Sequence, residues 1–300
     1  MRHSLNINID PLFRHFSSLL FYPHPTHRFN DKEMTYWMPR QMANIQKNEA
    51  GVDFVFHAGN MQTPAASHCN PLWGQFVRDT ILKTSPAPVF ITPGTKDWAD
   101  CKGKLGAPNS DDDAIQALDS WKETFLGLDK RWEHTLPVTY QGGYLENWAF
   151  LSKRTLFVSV HLINAPIIDE LEWAQRHRAS HAFIREAVDA YPGQFDVLVL
   201  LSNAKPTEHH DDFFNRLTYT IVTNRDLMRM PIVYLHGSGH IWEEEEKFLN
   251  LPNMLRVQIE GRKKHPVRVM IDTTSPNPVK IHRHQGDILA ECCVRPGWPK

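Results

Sequence analysis

Residues 88–101 read PVFITPGTKDWADC, an apolar run that stops at a proline and a glycine. The run PVFIT has the β-branched and aromatic content of a buried strand, and Pro93 and Gly94 mark its end. Lys96 and Asp97 follow the glycine directly. Charged residues just after a buried strand indicate a ligand site in an α/β sheet, because loops from several strands meet at the carboxyl edge.

Three other apolar runs end in the same way. VDFVFH leads into Ala58-Gly59-Asn60, DVLVLL into Ser202-Asn203, and PIVYL into HGSGH at residues 236–240. Glycine in such loops lets the backbone turn sharply and approach a ligand. Each loop taken alone is explained by an ordinary strand-to-helix turn, which also favours Gly, Asn and Ser. Four loops of this kind favour one common site.

The rest of the chain alternates between strand and helix patterns. Predicted strands cover residues 17–22, 52–57, 88–92, 156–162, 196–201, 231–235, 255–259 and 267–271. Apolar residues near a 3.6-residue period predict helices at residues 32–48, 70–84, 114–125, 170–191 and 211–223. Alternation of helices with almost fully apolar strands predicts an α/β layered fold. The acidic run at 243–246 is interpreted as a solvated face.

Composition narrows the classes of partner. The 300 residues are 41% hydrophobic and 22% charged, which is ordinary globular composition. Thirty-three basic residues balance 34 acidic ones, so the charge does not support binding to nucleic acid or to a membrane surface. No apolar run approaches the roughly 20 residues that span a bilayer, and the opening residues lack the apolar core of a signal peptide. We expect a soluble protein; its compartment and protein partners stay open.

Common catalytic motifs are missing from the sequence. It has no P-loop, no GxGxxG and no GxSxG elbow, which argues against a phosphate-cradling loop or a serine nucleophile. None of the four cysteines lies in a CxxC pair, which argues against a thiolate zinc site. A disulfide between Cys69 and Cys101 is one alternative that the sequence leaves open.

At the strand ends the chain resembles the calcineurin-like metallophosphoesterases. That family carries Asp-x-His, Gly-Asp, Gly-Asn-His/Asp, a lone His and Gly-His-x-His, each after a strand. One subgroup has HvGD, a later cysteine, PG-x-N-[ED]-W-x-DC and a late HGD-x-H. This chain has FVFHAGN, Cys69, PGTKDWADC and LHGSGH in the same order. The resemblance covers nearly the whole chain and implies a four-layer α/β/β/α sandwich, with residues 17–300 as its domain and 1–16 as an N-terminal extension.

The departures from the family pattern fall on its metal ligands. The bridging aspartate falls on Asn60, the asparagine of the third block on Lys96, and the first ligand of the late block on Ser238. A neutral amide brings no anionic charge to two cations, and an ammonium repels a cation. Only His240 is plainly retained, and Asp97 lies where the family has an acid or a histidine.

Two-metal hydrolysis requires two cations about 3.5–4 Å apart that clamp the attacking and leaving oxygens. Loss of the carboxylates therefore favours a pseudoenzyme that keeps an anion pocket for a phosphate-containing small molecule. The predicted ligand-binding residues are Asn60, Lys96, Asn203, Ser238 and His236. The predicted catalytic residues are Asp97 and His240. No cofactor is favoured, and Asn60 and His240 are the candidate ligands if a metal binds at the family's site.

Two alternatives stay open beside the pseudoenzyme. One is an active phosphoester hydrolase with Mn, Fe or Zn in a non-standard site. The other is a histidine-only metal site, which suits zinc or copper. Its predicted ligands are His24, His27, His161, His236 and His240. In the anion-pocket version, Lys96 replaces the metal as a point charge and glycine-rich loops add backbone N–H groups.

Overall fold

The computed structural model describes residues 16–22 (backbone only), 51–61, 69–102, 111–164, 166–239, 241–260 and 266–283. The strands are β1 (Phe16–Tyr22), β2 (Phe54–His57), β3 (Val89–Ile91), β4 (Thr139–Gln141), β5 (Tyr144–Ser152), β6 (Thr155–Ser159), β7 (Val197–Ser202), β8 (Ile232–His236), β9 (Glu243–Glu246), β10 (Met254–Gln258), β11 (Val267–Asp272) and β12 (Val279–His282). The helices are α1 (Pro71–Thr84), α2 (Asp111–Phe125), α3 (Glu170–Ala190) and α4 (Asp211–Thr223). None of these helices is long and apolar enough to cross a membrane.

The described strands form two mixed sheets. The first has the order β12-β11-β1-β2-β3, and the second has the order β4-β5-β6-β7-β8-β10-β9. Strands β1, β2 and β3 run parallel to one another, as do β6, β7, β8 and β10. Within each parallel set the carboxyl ends therefore lie at one edge, where the polar loops of the sequence follow.

The two sheets pack face to face through an aromatic core. Phe54 of β2 lies edge-on to Phe150 and Phe157 of the second sheet, with ring centroids 5.1 and 4.9 Å apart. Side chains alternate across a strand, so Phe54 and Phe56 face the second sheet while Val55 between them faces the opposite side. This alternation explains why the three consecutive residues Phe54, Val55 and Phe56 are all apolar.

Helices cover both outer faces. Val77 of α1 and Trp121 of α2 pack with Val55 on the first sheet. Phe183 of α3 and Leu217 of α4 pack on the second sheet in a separate cluster. The layers therefore follow the order helix, sheet, sheet, helix, and the predicted α/β/β/α sandwich is confirmed.

Helices α1 and α3 begin at capping residues that are visible in the sequence. Asn70 Oδ1 accepts the Leu72 N–H at 3.0 Å, and Pro71 occupies the first helical position. Asp169 Oδ1 accepts the N–H groups of Leu171 and Glu172 at 2.7 and 2.9 Å. These caps satisfy backbone donors that a helix leaves unpaired at its start.

The structure adds two features that the sequence patterns did not predict. Strands β4 and β5 form a hairpin closed by Gly142 and Gly143, with φ of 81° at Gly143. The acidic run Glu243–Glu246 is strand β9, at an edge of the second sheet, with its side chains mostly exposed. Charged side chains on an edge strand disfavour pairing with other chains.

Some predictions fall outside the described residues. These are the helix at 32–48 and most of the N-terminal extension at 1–16, of which only Phe16 is described, as the start of β1. The domain division stays a prediction.

A disulfide joins Cys69 to Cys101, with their Cα atoms 5.7 Å apart. It resolves the alternative that the sequence left open. Cys101 ends the block that carries Lys96 and Asp97, so the bond ties this block to the start of α1. The cross-link spans 32 positions of sequence, and the chain-entropy model gives about 3–4 kcal/mol for a loop of that length.

Candidate functional site

The loops after β2 and β3 approach each other so closely that only glycine fits between them. Gly59 has φ of 74°, and a Cβ there would lie 2.4 Å from the backbone nitrogen of Gly94. A Cβ on Gly94 would lie 2.4 Å from Asn60 Oδ1 and 2.7 Å from Asn203 Nδ2. All three distances are too short for real atoms, so these glycines are required to bring Asn60 and Asn203 together.

The Asp97 carboxylate holds these two loops in place. Its Oδ2 accepts the N–H groups of Asn60 and Gly94 at 2.7 and 2.8 Å, and its Oδ1 accepts that of Met61 at 2.6 Å. Asp97 is only 2% exposed. Charge-assisted bonds of this kind are strong, so the carboxylate fixes the loop geometry. A catalytic role for Asp97 remains a prediction, beside this structural role.

Asn60 and Lys96, which occupy two of the family's ligand positions, are neighbours. Asn60 has a left-handed backbone with φ of 60°, and its Oδ1 accepts the Lys96 N–H at 2.8 Å. Lys96 is 6% exposed. Enclosing a cationic side chain costs free energy unless partners within the fold compensate its charge.

Asn203 and Ser238 join the same group of loops. The Asn203 Nδ2 donates to the carbonyl of Ala58, and the Asn203 carbonyl accepts the Ser238 N–H at 2.9 Å. Gly237 lies against Ala58, because a Cβ there would come within 2.5 Å of the alanine Cβ. The loops that carry Asn60, Lys96 and Asn203 are thus in contact with one another, and a ligand-binding role for these residues stays a prediction. His240, the predicted catalytic histidine, lies outside the described residues.

Sequence reasoning missed Asn164, which follows β6. Its N–H donates to Thr95 Oγ1 at 3.0 Å, and its Nδ2 is hydrogen bonded to Ser238 Oγ. A fifth loop therefore joins the strand-end site. The sequence contained a signal for this residue: the apolar run of β6 continues into HLINAP at residues 161–166, in which Asn164 carries an amide side chain.

His236 is buried at the end of β8 and is engaged by neighbouring strands. Its Nε2 accepts from Arg256 Nη1 at 3.1 Å, and Arg256 also binds Glu243 and Glu245 of β9. Burial, with the positive charge of Arg256, holds the pKa of His236 well below its usual value. His236 is therefore neutral, and its Nδ1 has no hydrogen-bond partner among the described residues.

His161 is held in one tautomer by its neighbours. The Trp98 indole N–H donates to His161 Nε2 at 3.1 Å, so Nε2 carries no proton. Nδ1 carries the proton and donates to Glu146 Oε1 at 3.0 Å. Burial, reinforced by the charge of Arg176, lowers the pKa of this imidazole. Both ring nitrogens are thus occupied, and His161 is unsuited to the histidine-only metal site.

The residues at the strand ends do not fit a two-metal centre. Asn60 Oδ1 and both Asp97 oxygens accept backbone N–H groups, and Lys96 adds a positive charge. Among the residues that the structure describes, no group of three or more His, Cys, Asp or Glu side chains could hold a metal ion. His24 and His27 lie outside those residues, so the histidine-only site as a whole stays a prediction.

Neither a protein-family model nor a curated protein sequence matches the chain. Similar solved structures include "GAP50 the anchor in the inner membrane complex of Plasmodium", with TM-score 0.46 and 11% identity over 89% of this chain and 88% of that one. Purple acid phosphatase PPD1 from yellow lupin (Lupinus luteus) seeds has TM-score 0.48 and 11% identity, covering 89% of this chain and 51% of its own. The 5'-nucleotidase from Candida albicans SC5314 has TM-score 0.47 and 12% identity, covering 88% and 50%.

The chain spans about half the length of the lupin and Candida proteins. At these TM-scores and identities the likenesses carry no argument about activity. The four layers described above agree with the α/β/β/α sandwich that the resemblance to the calcineurin-like metallophosphoesterases implies.

Proposed function

We propose that the strand ends form a pocket for a phosphate-bearing small molecule, and that the protein binds this ligand without two-metal phosphoester hydrolysis. The observation that carries the proposal is the hydrogen bond from the Lys96 N–H to Asn60 Oδ1 at 2.8 Å. It places an amide and a lysine side by side, where the resemblance implies two metal ligands. Neither residue supplies the negative charge that holds a pair of divalent cations.

Charge and backbone geometry support an anion as the ligand. Lys96 is enclosed and cationic, and an ammonium binds phosphate as a point charge. The short residues around it, Gly59 and Gly94, bring the backbone close to this position. Asp97 brings the opposite charge, but three backbone N–H groups already bind its carboxylate.

Phosphate is expected to stabilise the wild-type protein, and Lys96→Met is expected to lose this response. A ligand that binds only the folded state at 100 times its dissociation constant adds about 2.7 kcal/mol of stability. The measurement is thermal unfolding with and without inorganic phosphate. Lys83→Met, on the exposed face of α1, is the matched control and should respond as wild type does. Equal phosphate responses in wild type and Lys96→Met would rule out the pocket.

Added manganese is expected to leave hydrolysis of an aryl phosphate at background, because Asn60 and Lys96 replace the anionic ligands. Metal content by mass spectrometry after mild purification gives the second readout. One tightly held equivalent of metal, lost in an Asn60→Ala, His240→Ala double variant, would contradict this expectation. That result would restore the active phosphoester hydrolase with a non-standard site.

A further inference from the structure

Trp121 of α2 differs from the other buried tryptophans that the structure describes. The indole N–H of each of the others donates to an acceptor within the fold, at 2.9–3.4 Å; these residues are Trp73, Trp98, Trp148 and Trp173. Trp121 is only 4% exposed, and its Nε1 is buried without a partner among the described residues. A buried indole N–H normally finds an acceptor, so this one requires an explanation.

The carboxylate of Glu146 on β5 is hydrogen bonded at one oxygen only. Its Oε1 accepts from His161 Nδ1 at 3.0 Å, whereas its Oε2 is buried and has no partner among the described residues. Burial acts to raise the pKa of Glu146, but the hydrogen bond from His161 lowers it, and the net pKa lies below its usual value. The carboxylate is therefore ionised at neutral pH, and Oε2 can only accept.

Trp121 and Glu146 line the same small cavity between α2 and β5. The cavity has room of about 10 Å³, which is close to the lower limit for one water molecule. Asp129 and Tyr140 also line it, and their side chains are hydrogen bonded to each other. The donor and the acceptor without partners therefore share a space that one oxygen atom fills.

The occupant of this cavity must accept from the indole and donate to the carboxylate. A metal cation would face the indole N–H, and an anion would face the carboxylate, so neither ion satisfies both atoms. We infer that one buried water molecule binds here, accepting from Trp121 Nε1 and donating to Glu146 Oε2. Bridging waters of this kind form hydrogen bonds nearly as favourable as direct ones.

The water completes a hydrogen-bonded chain that reaches the loops at the strand ends. From Glu146 the chain continues to His161, whose Nε2 accepts the Trp98 indole N–H at 3.1 Å. Trp98 directly follows Asp97, the carboxylate that binds N–H groups in the loops after β2 and β3. The water thus links α2 to the support of these loops, and its binding does not depend on the proposed ligand.

The test is made on the full chain, by X-ray crystallography at a resolution that shows ordered waters. One peak of density is expected within hydrogen-bond distance of both Trp121 Nε1 and Glu146 Oε2. In solution, with ¹⁵N-labelled tryptophan, the Trp121 indole proton is expected to show a rotating-frame Overhauser cross-peak to water. The Trp73 indole proton, which faces the Met61 carbonyl, is expected to show none. An empty cavity, an ion in its place, or no water cross-peak at Trp121 would overturn the inference.

Glu146→Met keeps the length of the side chain and removes the acceptor. The water and its cross-peak at Trp121 are expected to be lost, because apolar cavities stay dry. Glu123→Met, at an exposed position of α2, is the matched control and should keep the cross-peak. Retention of the cross-peak in Glu146→Met would overturn the inference. If Glu146→Met does not fold, the wild-type density and cross-peak decide by themselves.

Discussion

Asp97→Asn is expected to lower the free energy of unfolding by about 3–5 kcal/mol, because a buried acceptor of three backbone N–H groups loses its charge. An amide has one oxygen, so its NH2 group must face at least one of the donors of Asn60, Met61 and Gly94. That donor is then buried without an acceptor. Urea unfolding of the two proteins at pH 7 measures the difference.

Glu244→Gln is the matched control, since it makes the same chemical change on the exposed edge strand β9. Surface changes of this kind stay within about 0.5 kcal/mol. If Asp97→Asn costs no more than the control, the carboxylate does not hold the loops. A large loss would instead mean that Asp97 is needed for folding, so a loss of activity in that variant would not identify it as a catalytic residue.

Lowering the pH from 7 to 5 is expected to cost about 4 kcal/mol of stability through two buried histidines alone. Burial lowers the pKa of His57 to about 3. Burial, with the charges of His210 and Arg176, lowers that of His177 to about 3. Below about pH 6.5 the unfolded chain takes up protons that the folded chain does not, so the stability present above pH 6.5 is lost as the pH falls towards 3. At pH 5, each of the two histidines accounts for a loss of about 2 kcal/mol in the free energy of unfolding.

The folded structure shows why protonation is resisted at His57. Its Nδ1 accepts the Gly59 N–H at 3.1 Å, and a second ring proton would face that donor. His161, His210 and His236 also have lowered pKa values, and burial is the largest cause for each. The total acid sensitivity therefore exceeds the estimate for two residues.

Urea unfolding at pH 7 and pH 5 measures the loss of stability. His177→Phe keeps an aromatic ring against Trp173 and removes one titrating group, so the loss between the two pH values should shrink by about 2 kcal/mol. His209→Asn, at an exposed position, is the control and should leave the loss unchanged. A wild-type free energy that is the same at pH 7 and pH 5 would contradict the assignment of neutral buried histidines.

The layers of this fold could be predicted because their signals are local. Strands β2, β3, β7 and β8 are short apolar runs, and each ends at a glycine, proline or asparagine in the sequence. The α/β class follows from their alternation with amphipathic helices. The resemblance to the motifs of a known family added the prediction of a sandwich. The hydrophobic clusters in the structure place the helices on its two outer faces.

Strand β9 was not predicted, because four consecutive glutamates have no strand signal of their own. Its pairing with β10 brings Glu243 and Glu245 onto Arg256, which lies more than ten residues away in the sequence. These ion pairs offset the repulsion among neighbouring carboxylates. The hairpin of β4 and β5 was missed for a different reason: its Gly142-Gly143 signal is local but was not used.

The sequence by itself determined which strand ends carry polar residues, and that Asn60 and Lys96 replace metal ligands of the family that the chain resembles. Only the tertiary structure decided what those residues do to one another. The Asp97 carboxylate binds N–H groups from a loop 36 residues away, and Asn164 reaches Ser238 across 74 residues. Hydrogen-bond partners at such separations depend on how strands are ordered in a sheet, and no local pattern of side chains encodes that order.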